Sequence, residues 1–220
     1  MKTIYEDWPK RIDCEVSNPL NPYDEAGLRH NELMAQIESE GNPEMTLDDV
    51  FELCDKVLKE TFKNELPPNY SSKENATPII NIETEEEYRN YINSLELSAE
   101  QKDNVFKLND ILFRYNGNNV CEIIKSVKDF ESALMKKYKP ETMENVLISS
   151  SVGRFALAYW DSRVSNDNIM AKGFWKKLFT GIADTIGAVG GAGVGGLAGG
   201  ITGAIGASAG FGSVWDIFAK

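Results

Sequence analysis

One histidine, three cysteines, a serine triplet and a glycine run are the parts of this 220-residue chain whose types and spacing suit chemistry. His30 stands in Arg29-His30-Asn31-Glu32, one and a half helical turns after Asp24. A histidine beside a carboxylate is a general acid–base pair in outline. His30 nevertheless shares a helical face with Tyr23, Ala26, Leu33, Met34 and Ile37, so a hydrogen-bonded core histidine is the expected role. Ser149-Ser150-Ser151 lies in an apolar stretch with no nucleophile elbow, and a structural role is expected there as well. Cys14, Cys54 and Cys121 are odd in number, far apart and form no CxxC. That pattern predicts free, mostly buried thiols and no disulfide framework. With a single histidine no Cys/His zinc site can be assembled, and neither a metal nor a cofactor is expected. The chain is read as non-enzymatic.

Gly191-Ala192-Gly193-Val194-Gly195-Gly196 matches G-x-G-x-x-G, and Asp216 follows twenty residues after Gly196. On paper this is a dinucleotide fingerprint. A fingerprint needs a preceding strand and further βαβ units. Here the preceding sequence reads as helical and only 24 residues follow Gly196. The match is ascribed to the abundance of glycine.

The elements that would position these residues are helices. Asn21-Pro22-Tyr23-Asp24 reads as an N-cap, a first-position proline and a first-turn acid. Thr46 with Asp49, Thr84 with Glu87, and Ser98 with Gln101 mark three more starts. Residues 64–83 read as a loop with a short extended piece at 79–82. Asn116-Gly117-Asn118-Asn119 breaks the chain before a stripe of Val120, Ile123, Ile124, Val127, Phe130 and Leu134. Pro140 opens a segment through Trp160 that is apolar or small nearly all round, and is expected at the centre. The fold class is all-α: a helical bundle with a C-terminal Gly/Ala-rich helix or helical hairpin.

Charge divides the chain. The net charge is -11, which argues against a nucleic-acid partner. Residues 171–220 hold four lysines and two aspartates, and 14 of the 18 glycines. Two parts are therefore expected: an acidic helical body over 1–170 and a glycine-rich hydrophobic segment over 171–220. The start, MKTIYEDWPKRIDCEV, has no apolar h-region and does not read as a signal peptide. Localisation stays unassigned.

In the glycine-rich segment Gly187, Gly191, Gly195, Gly199 and Gly203 recur every four residues. Ala188, Ala192, Gly196, Gly200, Ala204 and Ser208 form a parallel row, beside an aliphatic row with Val189, Leu197, Ile201 and Ile205. On a helix this is a flat small-residue face beside a ridge, suited to close approach of two backbones. Ten glycines lie between Ile186 and Gly206. At roughly 0.8–1 kcal/mol each, helix propensity is short by about 10 kcal/mol. The helix needs a tight partner, a bilayer, or both. Trp175 and Trp215, with Lys172, Lys176, Lys177 and Lys220, flank it as membrane anchors would. The uncharged run 185–215 is about 46 Å long as one helix, too long for one span and too short for two. Its aliphatic residues give only about -2 to -4 kcal/mol toward insertion.

Two stretches resemble a family of uncharacterised proteins that recurs in Bacteroidetes genomes. Its members carry an NPYD-x-x-G-x-x-HNE-like motif, which matches Asn21-Pro22-Tyr23-Asp24-Glu25-Ala26-Gly27-Leu28-Arg29-His30-Asn31-Glu32. They also carry a SVARY-x-x-x-YW-like helix, matching Ser151-Val152-Gly153-Arg154-Phe155 through Tyr159-Trp160, with a glycine- and alanine-rich segment after it. The resemblance leaves residues 40–140 uncovered and brings no known activity. It implies that Asn21, Asp24, Gly27, His30 and Asn31 form a shared feature, either a helix-start network or a ligand contact, and that many members are exported.

The leading expectation is a segment that self-associates or enters membranes, as in a bacteriocin-like or pore-forming effector. A protein partner is compatible with it. The alternative is an interaction or structural module with the segment packed as a core hairpin.

Overall fold

The computed structural model describes residues 12–162, save 43 and 83, and residues 172–210. The described residues form an all-α bundle with no strand. In chain order the α-helices are α1 (Glu25–Glu40), α2 (Leu47–Phe62), α3 (Ser72–Ile80), α4 (Glu85–Ser94), α5 (Ala99–Leu112), α6 (Val120–Lys137), α7 (Glu144–Asp161) and α8 (Lys172–Gly210).

Local signals set most starts. The capping boxes Thr46–Asp49, Thr84–Glu87 and Ser98–Gln101 are all formed, each satisfying two backbone donors at a helix N-terminus. Pro140 opens a short 3₁₀ turn, Pro140–Met143, that feeds α7. From Val146 to Trp160 every residue of α7 is buried, as its all-round apolar pattern predicts.

Two expectations need correction. Residues 72–80 are helix, where a loop and an extended piece were read. Ser71 accepts a hydrogen bond from the Glu74 amide, and the helix packs Ser72 and Ala76 onto Gly206 of α8. That packing tolerates Pro78 near the helix end. The first helix starts at Glu25, three residues beyond Pro22, because residues 18–24 are held by the body instead.

Helix α8 is two arms. Gly195 (φ -139°, ψ 21°) and Gly196 (φ 55°, ψ -136°) leave the helical region. The Gly196 conformation is one that only glycine adopts readily. The chain turns there and the second arm runs back along the first, so the Gly/Ala-rich segment is a hairpin. The hairpin and α7 occupy the middle of the molecule. On one side Ala188, Ala192, Ile201 and Ile205 join α1, α2, α3 and α7. On the other Ala183, Ile186, Val189 and Ala207 join α4, α5, α6 and α7. The acidic body and the glycine-rich segment thus share their core. No described helix is long and apolar enough to cross a membrane.

Candidate functional site

The glycine row occupies the seam between the two arms. A Cβ at Gly191 would stand 1.9 Å from the Gly199 carbonyl oxygen, and one at Gly187 would stand 2.3 Å from that of Gly203. The reverse contacts are as close: 2.3 Å from Gly199 to the Gly191 oxygen and 2.2 Å from Gly203 to that of Gly187. Carbon atoms do not approach carbonyl oxygens so closely, so these four positions admit glycine alone without moving a backbone. Gly195, the central member of the row, lies at the turn with nothing near its Cβ direction. In the second small-residue row Gly200 meets Ile148 of α7, and Gly206, which lies outside that row, meets Ser72 of α3. Trp175 lies within α8, but its side chain and the whole of Trp215 fall outside the described residues. The anchor reading of these tryptophans is therefore a matter of sequence alone.

The first motif lies against α7 and builds a buried polar cluster. Asn21 accepts from the Tyr23 amide with its own Oδ1, a local turn. Its Nδ2 donates to Glu131 Oε1 at 2.9 Å and to the Leu147 carbonyl at 3.0 Å. Asn18 Nδ2 donates to Glu131 Oε2 at 2.6 Å, and Ser150 donates to Glu131 Oε1 at 2.7 Å. Arg154, fully buried, bridges Glu131 at 3.1 Å and Asp24. It also donates to the Val16 carbonyl. Buried ions persist only when their hydrogen-bonding capacity is met, and every one of these partners contributes to that.

Asp24 does not orient His30; its carboxylate faces Arg154 and the Asn18 amide. Ser151 of α7 acts as the cap of α1 from outside the helix. Its hydroxyl accepts from the Gly27 amide at 3.0 Å and donates to the Asp24 carbonyl at 2.8 Å, satisfying an orphan first-turn donor. Gly27 permits the crossing: a Cβ there would meet Phe155 at 2.4 Å and the Ser151 carbonyl at 2.5 Å. Asn31 closes the contact by donating to the Phe155 carbonyl at 2.9 Å. The two stretches that carry the family resemblance are thus packed face to face.

A second polar cluster ties both arms to the body. Asp184, on the first arm, accepts from Trp160 Nε1 of α7 at 3.1 Å and from Ser208 on the second arm. His30 Nε2 stands 3.6 Å from Asp184 Oδ2 and has no hydrogen-bond partner, while Nδ1 pairs with Asn31 Oδ1 at 2.9 Å. Burial lowers His30 to about 4 and raises Asp184 to about 7. Burial thus disfavours the charged form of each group. Both are fully buried, so no substrate reaches them. His30 is a core histidine, as its stripe predicts.

The cysteines correct the thiol expectation. Cys14 and Cys121 form a disulfide, which sequence spacing could not disclose because it joins a non-helical stretch to a helix 107 residues away. Only Cys54 is a buried free thiol, pushed up to about 12 by desolvation and the neighbouring Asp55.

None of Arg154, Glu131, Asp184, Trp160 and Ser208 was read as part of a polar site, although Arg154 and Trp160 lie in the second motif and Ser208 in the small-residue row. Three carried a signal. Glu131 falls on the apolar stripe of α6, Arg154 is the charge inside an otherwise apolar segment, and Asp184 is the last acid before the glycine run. Among the described residues no group of three or more His, Cys, Asp or Glu is placed to hold a metal. No protein-family model, curated protein or solved structure matches the chain.

Proposed function

We propose that the protein is a non-enzymatic helical module, acting through interaction or as a structural part, in which the glycine-rich segment serves as a closed core hairpin. The observation that carries this reading is the pairing of Gly187 with Gly203 and of Gly191 with Gly199. The face that would join another copy or a lipid-embedded helix is already taken by the segment's own second arm. The Cys14–Cys121 bond favours maturation in an oxidising compartment, where such bonds persist.

The second reading is that the hairpin leaves the body and enters a membrane. One observation favours it: a mostly apolar hairpin has its sole described acid, Asp184, held with a raised pKa, and lysines and aromatics lead into the first arm. Flotation and dye leakage with anionic liposomes at pH 7 and pH 5 distinguish the two. The core-hairpin reading predicts that oxidised full-length protein stays unbound and the vesicles stay sealed at both values. Leakage at either value would replace it with the membrane reading.

A further inference from the structure

The disulfide has a position that suggests more than a staple. Residues 12–18 carry no helix and lie as a strap across α6 and α7. The strap closes the Arg154–Glu131–Asp24 cluster from one side. Asn18 supplies the partner of Glu131 Oε2, its amide supplies a partner of Asp24 Oδ2, and the Val16 carbonyl receives Arg154 Nη1. The Glu15 carbonyl also receives Lys128 Nζ of α6. Apolar anchoring is slight, since Ile12 is the buried apolar side chain of the strap and Val16 is half-buried. A stretch with so little buried apolar surface has low local stability of its own. The bond to Cys121 substitutes for that missing anchorage. Both bridged cysteines are only partly buried, which places the bond at the margin of the bundle rather than in its core.

We infer that Cys14–Cys121 is a redox latch: oxidised, it holds the strap shut over the buried Arg154–Glu131 pair, and reduction opens the strap while the bundle stays folded. This goes beyond the core-hairpin reading and does not rest on it. The reductant is a dithiol. Its thiolate attacks one sulfur of the bridge, forming a mixed disulfide and releasing the other cysteine as a thiolate. The second thiol then displaces the remaining cysteine. Two electrons and two protons pass to Cys14 and Cys121, and the dithiol becomes a disulfide. The opened state presents Arg154, Glu131 and Asp24 to water from the strap side. The hairpin, whose seam lies in the centre of the molecule, keeps its packing.

The test uses the air-oxidised full chain with dithiothreitol as the dithiol. Alkylation and mass spectrometry count accessible thiols before and after reduction. Cleavage at the exposed Glu15 by a glutamate-specific protease reports the strap, and circular dichroism reports the bundle. The expected result is no alkylation before reduction and two labels after it, because Cys54 stays buried. Cleavage after Glu15 should then be at least tenfold faster, with helix content unchanged. The double variant Cys14→Ser/Cys121→Ser should be cut at the fast rate with or without dithiothreitol. Labelling of Cys14 before reduction would overturn the inference, as would an unchanged cleavage rate after full reduction. Loss of helix content together with strap cleavage would overturn it too, since the bond would then be a global staple.

Discussion

His30 and Asp184 oppose one another across pH. The folded value of His30 is about 4, against an ordinary 6.5. Between these values the unfolded chain binds a proton that the folded chain refuses, so this group removes stability as pH falls. Asp184, at about 7 against an ordinary 3.8, keeps a proton in the folded chain through nearly the same window, so it adds stability as pH falls. In the intact pair the two contributions largely cancel. Single substitutions should uncover them with opposite sign. Relative to the unsubstituted protein, Asp184→Asn should lose about 3 kcal/mol on going from pH 7 to pH 4. His30→Gln should instead lose about 3 kcal/mol on going from pH 4 to pH 7. Denaturant titrations at pH 4.5, 5.5 and 7 check this, and parallel profiles for the two variants would contradict it. The position of His30 on an apolar stripe made its burial legible in the sequence. Its partner was not legible, because Asp184 comes from an element 154 positions away whose placement depends on the hairpin turn.

At the level of elements, capping chemistry and apolar periodicity carried most of the reading. The starts of α2, α4 and α5 are local events, decided within four residues by reciprocal side-chain and backbone bonds, and local events are written locally. Helix α3 is different. Its sequence looks like a loop, and its helical state draws on contact with Gly206 and Gly210 of the second arm. The hairpin stood between, since the four-residue glycine row was visible while the partner of that row was not. Its seam makes a sharp demand on individual glycines. Gly191→Ala should drive a methyl into the Gly199 carbonyl and cost about 3 kcal/mol or more, at the upper end of overpacking costs. Gly193→Ala points into open space, with Asn145 at 3.9 Å. It should stabilise by about 0.5–1 kcal/mol through helix propensity alone. Urea titration of the two variants checks the contrast. Equal effects, or a Gly191→Ala protein as stable as the parent, would show that the seam is not packed within one chain.

On the scale of the whole molecule, the all-α class was legible because most segments, the stretch 64–83 aside, carry helix starts or helical periodicity. What sequence could not supply was the arrangement. The Arg154–Glu131–Asp24 cluster and the Cys14–Cys121 bond both join segments more than a hundred residues apart, except for the single α6–α7 pairing. They lock the stretch before α1 onto α6 and α7, while Asp184 and Ser208 lock both arms of the hairpin onto α1 and α7. The result is a core in which a segment with poor helix propensity is held by close backbone contact, small-residue seams and two polar ties. Its stability should therefore be that of the entire bundle. Hydrogen exchange of residues 183–209 in lipid-free, oxidised protein at neutral pH tests this most directly. The account predicts protection equal to that of α7, with both exchanging only through global unfolding. Rapid exchange of 183–209 while α7 remains protected, or protection gained only on adding lipid, would contradict it.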